Sequence, residues 1–400
     1  MDSRRIAIVS FSDIARDGRV LREVEYASRE YSVEVIGYGE WSSPWANVNY
    51  TRLRQGQVGA GERLVRAGLL IGGAVITPLW GLVYRVPPSH RHALKVLTQG
   101  RHDLIHANDL AALPVAVAAA RRTGGKVLFD AHEYSPGQTT SWGRLGMLRK
   151  AQTRSVFRRF SKVADAIVTV SPGIADLIQK ELGIEASVIM NIPSYKPIGF
   201  RPVDPSRIRL VHHGAAIRRR RLESIVELMG HLDDRFALVL ILAESPEDPI
   251  YLHEIKALAR VIAPDRIEFQ PAVLPGEIVP VISRFDIGVY LLPGSPINQK
   301  LALPNKLFEF ITAGLAVAIG PSPEMARITE EYDVGIVAKG FRSEDLADAI
   351  LGLSPGRIDE MKRNSLVAAR TLNADVEMGK LMTLYGGLLG APRHPTQAFG

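Results

Sequence analysis

Short apolar runs alternate with helix-length segments along this chain, and the whole pattern runs through twice. In the first half "RRIAIVSFS", "YSVEVIGYG", "HDLIHAN", "KVLFDAHE" and "ADAIVTVSP" read as strands. Segments such as "RVLREVEYASRE" and "LAALPVAVAAARRTG" read as helices between them, the second stopped by Gly124. These strands lack a strict in–out alternation, so both of their faces must be covered, which predicts a parallel sheet between two layers of helices. The second half starts afresh with "IRLVHHG", "FALVLIL", "RIEFQ", "DIGVYLLP" and "LAVAI" as strands. Its helices fall over "LESIVELMGHL", "YLHEIKALARVIA" and "GEIVPVISRF". Between the halves, residues 191–206 ("NIPSYKPIGFRPVDPS") are rich in proline and turn formers and read as a linker. A chain of 400 residues is too long for one core. The expectation is an α/β protein of two doubly wound parallel-sheet domains, 1–190 and 207–370. A C-terminal helix and loose tail follow over 371–400, the helix expected to pack back on the N-terminal domain.

There is no cysteine, which excludes disulfides, thiolate metal sites and cysteine nucleophiles and fits a reducing compartment. "MDSRRIAIVSFSD" has no apolar core before a small-residue cleavage site, so no secretory signal is expected. The net charge of +7 points to an anionic partner, and the excess is local. No acid occurs between Glu133 and Asp165, while Arg144, Arg149, Lys150, Arg154, Arg158, Arg159 and Lys162 do. A second cluster is Arg218 to Arg221.

One segment breaks the rhythm, inside an insertion at 56–98. Residues 67–84 carry no charge and are bracketed by Arg66 and Arg85, at the length threshold of a membrane span. Four glycines, a proline and the position between two strands of one sheet argue against a span. Two readings remain: a buried helical insertion, or a hairpin in the membrane interface with Trp80, Tyr84 and the arginines at headgroup level. The basic stretch 142–166 reads as a helix, either solvated or, with Trp142, Leu145, Met147 and Leu148 beside its cations, on an anionic bilayer. Together the two segments favour a cytoplasmic protein held peripherally at the inner face of the cell membrane.

In a doubly wound sheet, ligands bind beyond the carboxyl ends of the strands. The polar residues in such places are Ser10, Ser12, Asp13, Asp17 and Arg19, then His106, Asn108 and Asp109, then Asp130, His132 and Glu133. The second half offers His213, Gly214, the arginine run, Glu244 and the "PGSPINQK" loop. If two such domains face each other, both sets line one cleft. In "LALPNKLFEFITAGLAVAIG", Pro304 can start a helix and Gly314 can end it. Asn305, Lys306, Glu309 and Thr312 share a narrow stripe on that otherwise apolar helix. The stripe serves either a Lys306–Glu309 pair on a wetted edge or a ligand cleft. The arginine run at a strand–helix junction suits a phosphate or diphosphate, or is a solvated helix start. No Walker loop and no G-x-G-x-x-G follows the first strand, against a nucleoside triphosphatase or a nicotinamide enzyme. No metal-ligand spacing is present, and no aromatic residues are interleaved with the cations as nucleic-acid binding would need.

Five stretches in order, "DGRVLREVEYAS", "FDAHEYS", "AIVTVSPGIADLI", "VHHGAAIRRRRLESIVEL" and "LPNKLFEFITAGLAVAIG", resemble the retaining, nucleotide-sugar-dependent glycosyltransferases of family 4. That family has the GT-B fold of two Rossmann-like domains. The resemblance implies that Glu309, matching the second glutamate of the Glu-x7-Glu motif, grips the donor ribose. It implies that Arg220 holds the donor diphosphate after the Gly214 loop, that Asn305 and Lys306 hold the distal phosphate, and that His132 contacts the transferred sugar. Catalytic roles then fall to His132, Arg220 and Lys306, and Asp17, Arg19, Asn108, Asp109 and Glu133 face the acceptor. The first glutamate of the motif falls at Leu301 and the usual arginine at Ala215; Asn298 or another residue of the "PGSPINQ" loop is expected to replace the lost sugar contact. The implied chemistry is transfer, with retention, from a nucleotide-sugar co-substrate to a lipid-linked or saccharide acceptor in polysaccharide or glycoconjugate assembly. It needs no metal or other cofactor and no nucleic acid. The rival readings are a catalytically silent scaffold of the same fold and a nucleotide-sugar epimerase.

Overall fold

The computed structural model describes residues 4–54, 56, 59–138, 143–292, 294 and 296–390. Trp142, Pro293, Ser295 and the 391–400 tail lie outside the described residues. The chain divides into two units, Met1–Met190 with Met378–Gly400, and Asn191–Glu377.

The first unit runs β1 (Arg5–Asp13), α1 (Gly18–Ala27), β2 (Ser32–Tyr38), β3 (Val48–Arg52), α2 (Ala60–Gly72), α3 (Leu79–Leu82) and α4 (Pro88–Gly100). It continues β4 (Leu104–Asn108), α5 (Asp109–Thr123), β5 (Lys126–Ala131), α6 (Gly143–Ser161), β6 (Ala166–Thr169), α7 (Pro172–Leu182) and β7 (Ser187–Val188). The seven strands are parallel, in the order β3-β2-β1-β4-β5-β6-β7. Ile6, Ala7, Ile8 and Val9 are all buried in succession, as a strand covered on both faces requires. β3 is a strand the sequence reading did not anticipate: "VNYTR" is half-exposed and polar, and it pairs along one edge only.

The second unit runs β8 (Ile208–Ala215), α8 (Glu223–His231), β9 (Phe236–Ala243), α9 (Pro249–Ile262), β10 (Ile267–Pro271), α10 (Ile278–Ile282) and β11 (Ile287–Tyr290). Then follow α11 (Ile297–Lys300), α12 (Asn305–Thr312), β12 (Ala316–Ile319), α13 (Pro323–Glu331), β13 (Gly335–Val337), α14 (Ser343–Leu351) and α15 (Pro355–Ala368). Its parallel order β10-β9-β8-β11-β12-β13 turns back between β8 and β11, as the first sheet does between β1 and β4. These two reversals are the topological switch points where such sheets open a crevice. The last helix, α16 (Ala374–Leu389), sends Met378, Leu381, Tyr385 and Leu389 into the core of the first unit.

The insertion at 56–98 folds as α2, α3 and α4, and α2 buries none of its residues. The reading of 67–84 as a buried helical insertion holds only in part: Trp80, Gly81 and Val83 are buried, while Ile71, Val75, Ile76 and Leu82 are exposed. No helix of the described residues is long and apolar enough to cross a membrane.

Candidate functional site

The second sheet places His213 and Gly214 at the end of β8 and Tyr290 at the end of the adjoining β11. Helix α12 is pulled close to β11 because Gly288 has no side chain: a Cβ there would lie 2.3 Å from the Phe310 ring. Pro304 caps the helix in extended conformation, and Gly314, at φ 71°, follows its end. Leu307, Phe308, Phe310 and Ile311 are buried, as their apolar character demands. Lys306 is buried too, only 8% exposed, which the reading of a wetted polar stripe did not foresee.

Lys306 points at the strand end. A Cβ on Gly214 would sit 2.6 Å from Lys306 Nζ and 3.6 Å from Arg220 Nη1, so the missing side chain admits both cations. Gly214 also has φ +129°, a backbone that side-chain-bearing residues rarely adopt. Nζ lies 5.3 Å from the Tyr290 ring centroid. Neither Lys306 nor Arg220 has a side-chain hydrogen bond or ion pair among the described residues. Burial, and then the Arg220 charge, push the Lys306 ammonium down to about 7. Burial together with the Lys306 and Arg220 charges pushes His213 down to about 3, so it stays neutral. His213 Nε2 lies 3.3 Å from Glu309 Oε2, and its ring packs edge-on against Phe310. His212 is likewise held neutral by burial and Lys306, and hydrogen-bonds the Val289 carbonyl through Nδ1 at 2.9 Å. The result is a strand end with two converging cations, two neutral imidazoles and one carboxylate a helical turn away. Such a place is stabilised by an anion.

Asn305 is exposed at the first turn of α12; Asn298 and Leu301 lie half-buried at and just after α11. Within the arginine run, Arg218 is held by Asp248 at 2.9 Å and Glu254 at 2.7 Å, on the surface. Of the four arginines Arg220 is the one brought to Gly214.

The first sheet builds a different cluster at its own switch point. Arg19 is buried; its Nε donates to Asp130 at 2.7 Å and Nη1 to the Ile189 carbonyl at 2.9 Å, and Glu23 lies 3.2 Å away. Asn108 Nδ2 donates to Glu23 at 3.1 Å, while Asn108 Oδ1 is 3.0 Å from His132 Nε2. His106 Nδ1 hydrogen-bonds the Tyr385 hydroxyl at 2.6 Å. Asp130 stays well below the usual carboxylate range: burial opposes this, but Arg19 and then His132 outweigh it. His132 is raised to about 9, because Asp130 and Asp109 overcome the effect of burial. Burial pushes Glu23 up to about 7. Asp109, 3.7 Å from His132 Nδ1, opens α5 with a left-handed φ of 66°. Asp17 caps α1 by accepting from the Val20 N–H at 3.2 Å and takes the Ser12 hydroxyl at 2.7 Å. Glu133 is exposed.

Of the residues assigned to the acceptor side, Arg19 and Asn108 are therefore enclosed, Asp17 and Asp109 are half-buried and Glu133 is exposed; His132, assigned to the transferred sugar, is half-buried. The sequence reading missed Glu23 and Tyr385, whose partners lie far along the chain. Glu23, His106 and Asp130 also bring ligand-type atoms within 4.8 Å of one another, a grouping no local spacing reveals. The Arg19 guanidinium already lies against both of those carboxylates.

Residues 24–194 match the model of Glycosyltransferase Family 4. No curated protein sequence is significantly similar to the chain. Several solved structures share its fold. Sucrose-phosphate synthase from Thermosynechococcus elongatus superposes with a TM-score of 0.72 at 15% identity, covering 96% of this chain and 99% of that one. HepE from Anabaena, solved with UDP-glucose, gives 0.70 at 12% identity over 96% and 99%. WaaG, a glycosyltransferase involved in lipopolysaccharide biosynthesis, gives 0.64 at 14% identity over 96% and 100%. The two parallel-sheet domains are those of the GT-B fold, and the family match falls almost wholly in the first of them, running four residues past Met190.

Proposed function

We propose that this glycosyltransferase of the GT-B fold moves a sugar, with retention, from a nucleoside-diphosphate sugar to a lipid-linked or saccharide acceptor in glycoconjugate assembly. The observation that carries the reading is the convergence of Lys306 and Arg220 on Gly214 with no ion pair to either among the described residues, Glu309 acting on Lys306 only from a helical turn away. A diphosphate supplies the missing charge. Glu309, one turn along α12, then receives the ribose hydroxyls, with Asn305 at the distal phosphate and Asn298 toward the sugar in place of the glutamate absent at Leu301.

The anomeric C–O bond breaks as negative charge gathers on the leaving diphosphate, and preplaced cations favour that state over the bound donor. Losing one such donor typically costs ~3 kcal/mol of transition-state stabilisation. The leaving phosphate takes the acceptor hydroxyl proton on the same face. With two cations at the diphosphate, the reaction needs no metal. His132 serves as the contact to the transferred sugar, and Asp109, Asp17 and Glu133 lie on the acceptor side. HepE binds UDP-glucose, so uridine diphosphate sugars are the first donors to try, and an acceptor on a membrane lipid places the protein at the inner face of the cell membrane.

A thermal-shift panel of nucleoside diphosphates and their sugars on wild type and Glu309→Ala tests the donor site. Ligand at a hundred times its dissociation constant adds ~2.7 kcal/mol of stability. One base family should shift the wild type and not the variant. No shift with any of them would remove the donor assignment and leave a silent scaffold in its place.

A further inference from the structure

The surface of the first unit leaves large apolar side chains in water beside a concentration of positive charge. On α2, Leu64 and Ile71 are exposed and lie seven residues apart, on one helical face. The turn that follows presents Val75, 87% exposed, and Ile76. Helix α6 packs against both α2 and α3 and exposes Leu145 and Met147. Its nineteen residues include no acid. A cavity of about 600 Å³ lies where turn and helix meet, with Thr77 and Pro78 on one side and Arg154, Arg158, Arg159 and Lys162 on the other. Arg154 and Arg158 share one carboxylate, Glu181, at 2.7 Å each. Arg159 and Lys162 have no ion pair among the described residues, so the cavity keeps a net positive charge.

We infer that this face docks the protein on an anionic bilayer, the Val75–Ile76 turn entering the apolar boundary and the cavity beside it receiving lipid phosphates. Contiguous exposed apolar groups mark an interaction surface. What decides the partner is the charge around them. A protein partner would bury these cations against acids, at a cost in desolvation, whereas headgroup phosphates meet them in the wet interfacial zone. The geometry fits a helix lying in the interface: α2 has one exposed apolar face, and no described helix is fit to span. The inference rests on the membrane-lipid acceptor proposed above and gives that reading its docking surface.

The test is flotation of the full chain with vesicles of phosphatidylcholine, with and without phosphatidylglycerol, in parallel with the thermal shift by nucleoside diphosphate. Wild type should float with the anionic vesicles, and about tenfold less with the neutral ones. Val75→Asp with Ile76→Asp should reduce flotation about tenfold, and each of Arg159→Glu and Lys162→Glu roughly fivefold or more. All of these variants should keep the wild-type response to nucleotide, which separates loss of docking from loss of the fold or donor site. Failure of wild type to float with anionic vesicles overturns the inference, as does flotation unchanged in the variants. Self-association through this face in place of vesicle binding would assign it to a second copy and overturn it equally.

Discussion

Both domains place buried charge at the switch point of a parallel sheet, but only one has balanced it. In the first, Arg19 sits against Asp130 and Glu23, His132 against Asp130 and Asp109, and burial pushes Glu23 up to about 7. In the second, two cations converge on Gly214, and burial, then the Arg220 charge, depress Lys306 to about 7. A compensated cluster holds its groups in place; an uncompensated one is, on the proposed function, the place where an anion binds. Burial alone would mark both as functional, and the sign of the imbalance tells them apart.

The sharpest way to break this comparison is to remove one anion from the balanced side. Asp130→Ala leaves Arg19 buried with its main partner gone and should cost ~3 kcal/mol or more of folding stability. The same chemical-denaturation measurement on Lys306→Met should show little loss, because a buried cation without a counter-ion is removed and an aliphatic chain replaces it. Equal losses in the two variants would erase the distinction.

Proton linkage separates the domains next. His132, raised from 6.5 to about 9, contributes stability that is fully present below pH 6.5 and lost as pH rises through about 9. Lys306, lowered from 10.5 to about 7, binds its proton more readily unfolded, so its contribution grows as pH rises from about 7 toward 10.5. Between pH 7 and 9 the two slopes have opposite signs. Unfolding free energies of His132→Asn and Lys306→Met across that range should therefore depart from wild type in opposite directions, and departures in one direction would contradict the assignment of charge.

The smallest expected effect sharpens the choice within the arginine run. Arg218→Ala removes surface pairs with Asp248 and Glu254 and should change stability by less than ~1 kcal/mol. It should leave nucleotide affinity unchanged, whereas Arg220→Ala should weaken it in the same titration.

The alternation of strands and helices, and with it the two-domain fold, was legible because strands covered on both faces are continuously apolar. Pro304, Gly314 and the apolar run between them fixed α12 for the same reason. β3 was not legible: an edge strand needs no apolar run. Nor was Lys306 as a buried group, since helical periodicity places it beside Glu309 but says nothing of Gly214 some ninety residues earlier, whose missing Cβ lets the ammonium in. Glu23 and Tyr385 looked like ordinary members of amphipathic helices, and only the fold brings them to Asn108 and His106. For 67–84 the sequence left burial and surface exposure as alternatives, because apolar content signals burial without naming what does the burying. The fold divides the segment between them, Trp80 and Val83 inside and Val75 and Ile76 outside.

The central claim is that Lys306 and Arg220 await a diphosphate, and titration calorimetry of uridine diphosphate near pH 8, in two buffers of different ionisation heat, tests it directly. Wild type should bind with net uptake of a proton, because the incoming anion restores the charge on Lys306, and affinity should fall as pH rises further. Lys306→Met should bind more weakly and take up none. Binding by wild type with no proton uptake and no loss in Lys306→Met would contradict the account.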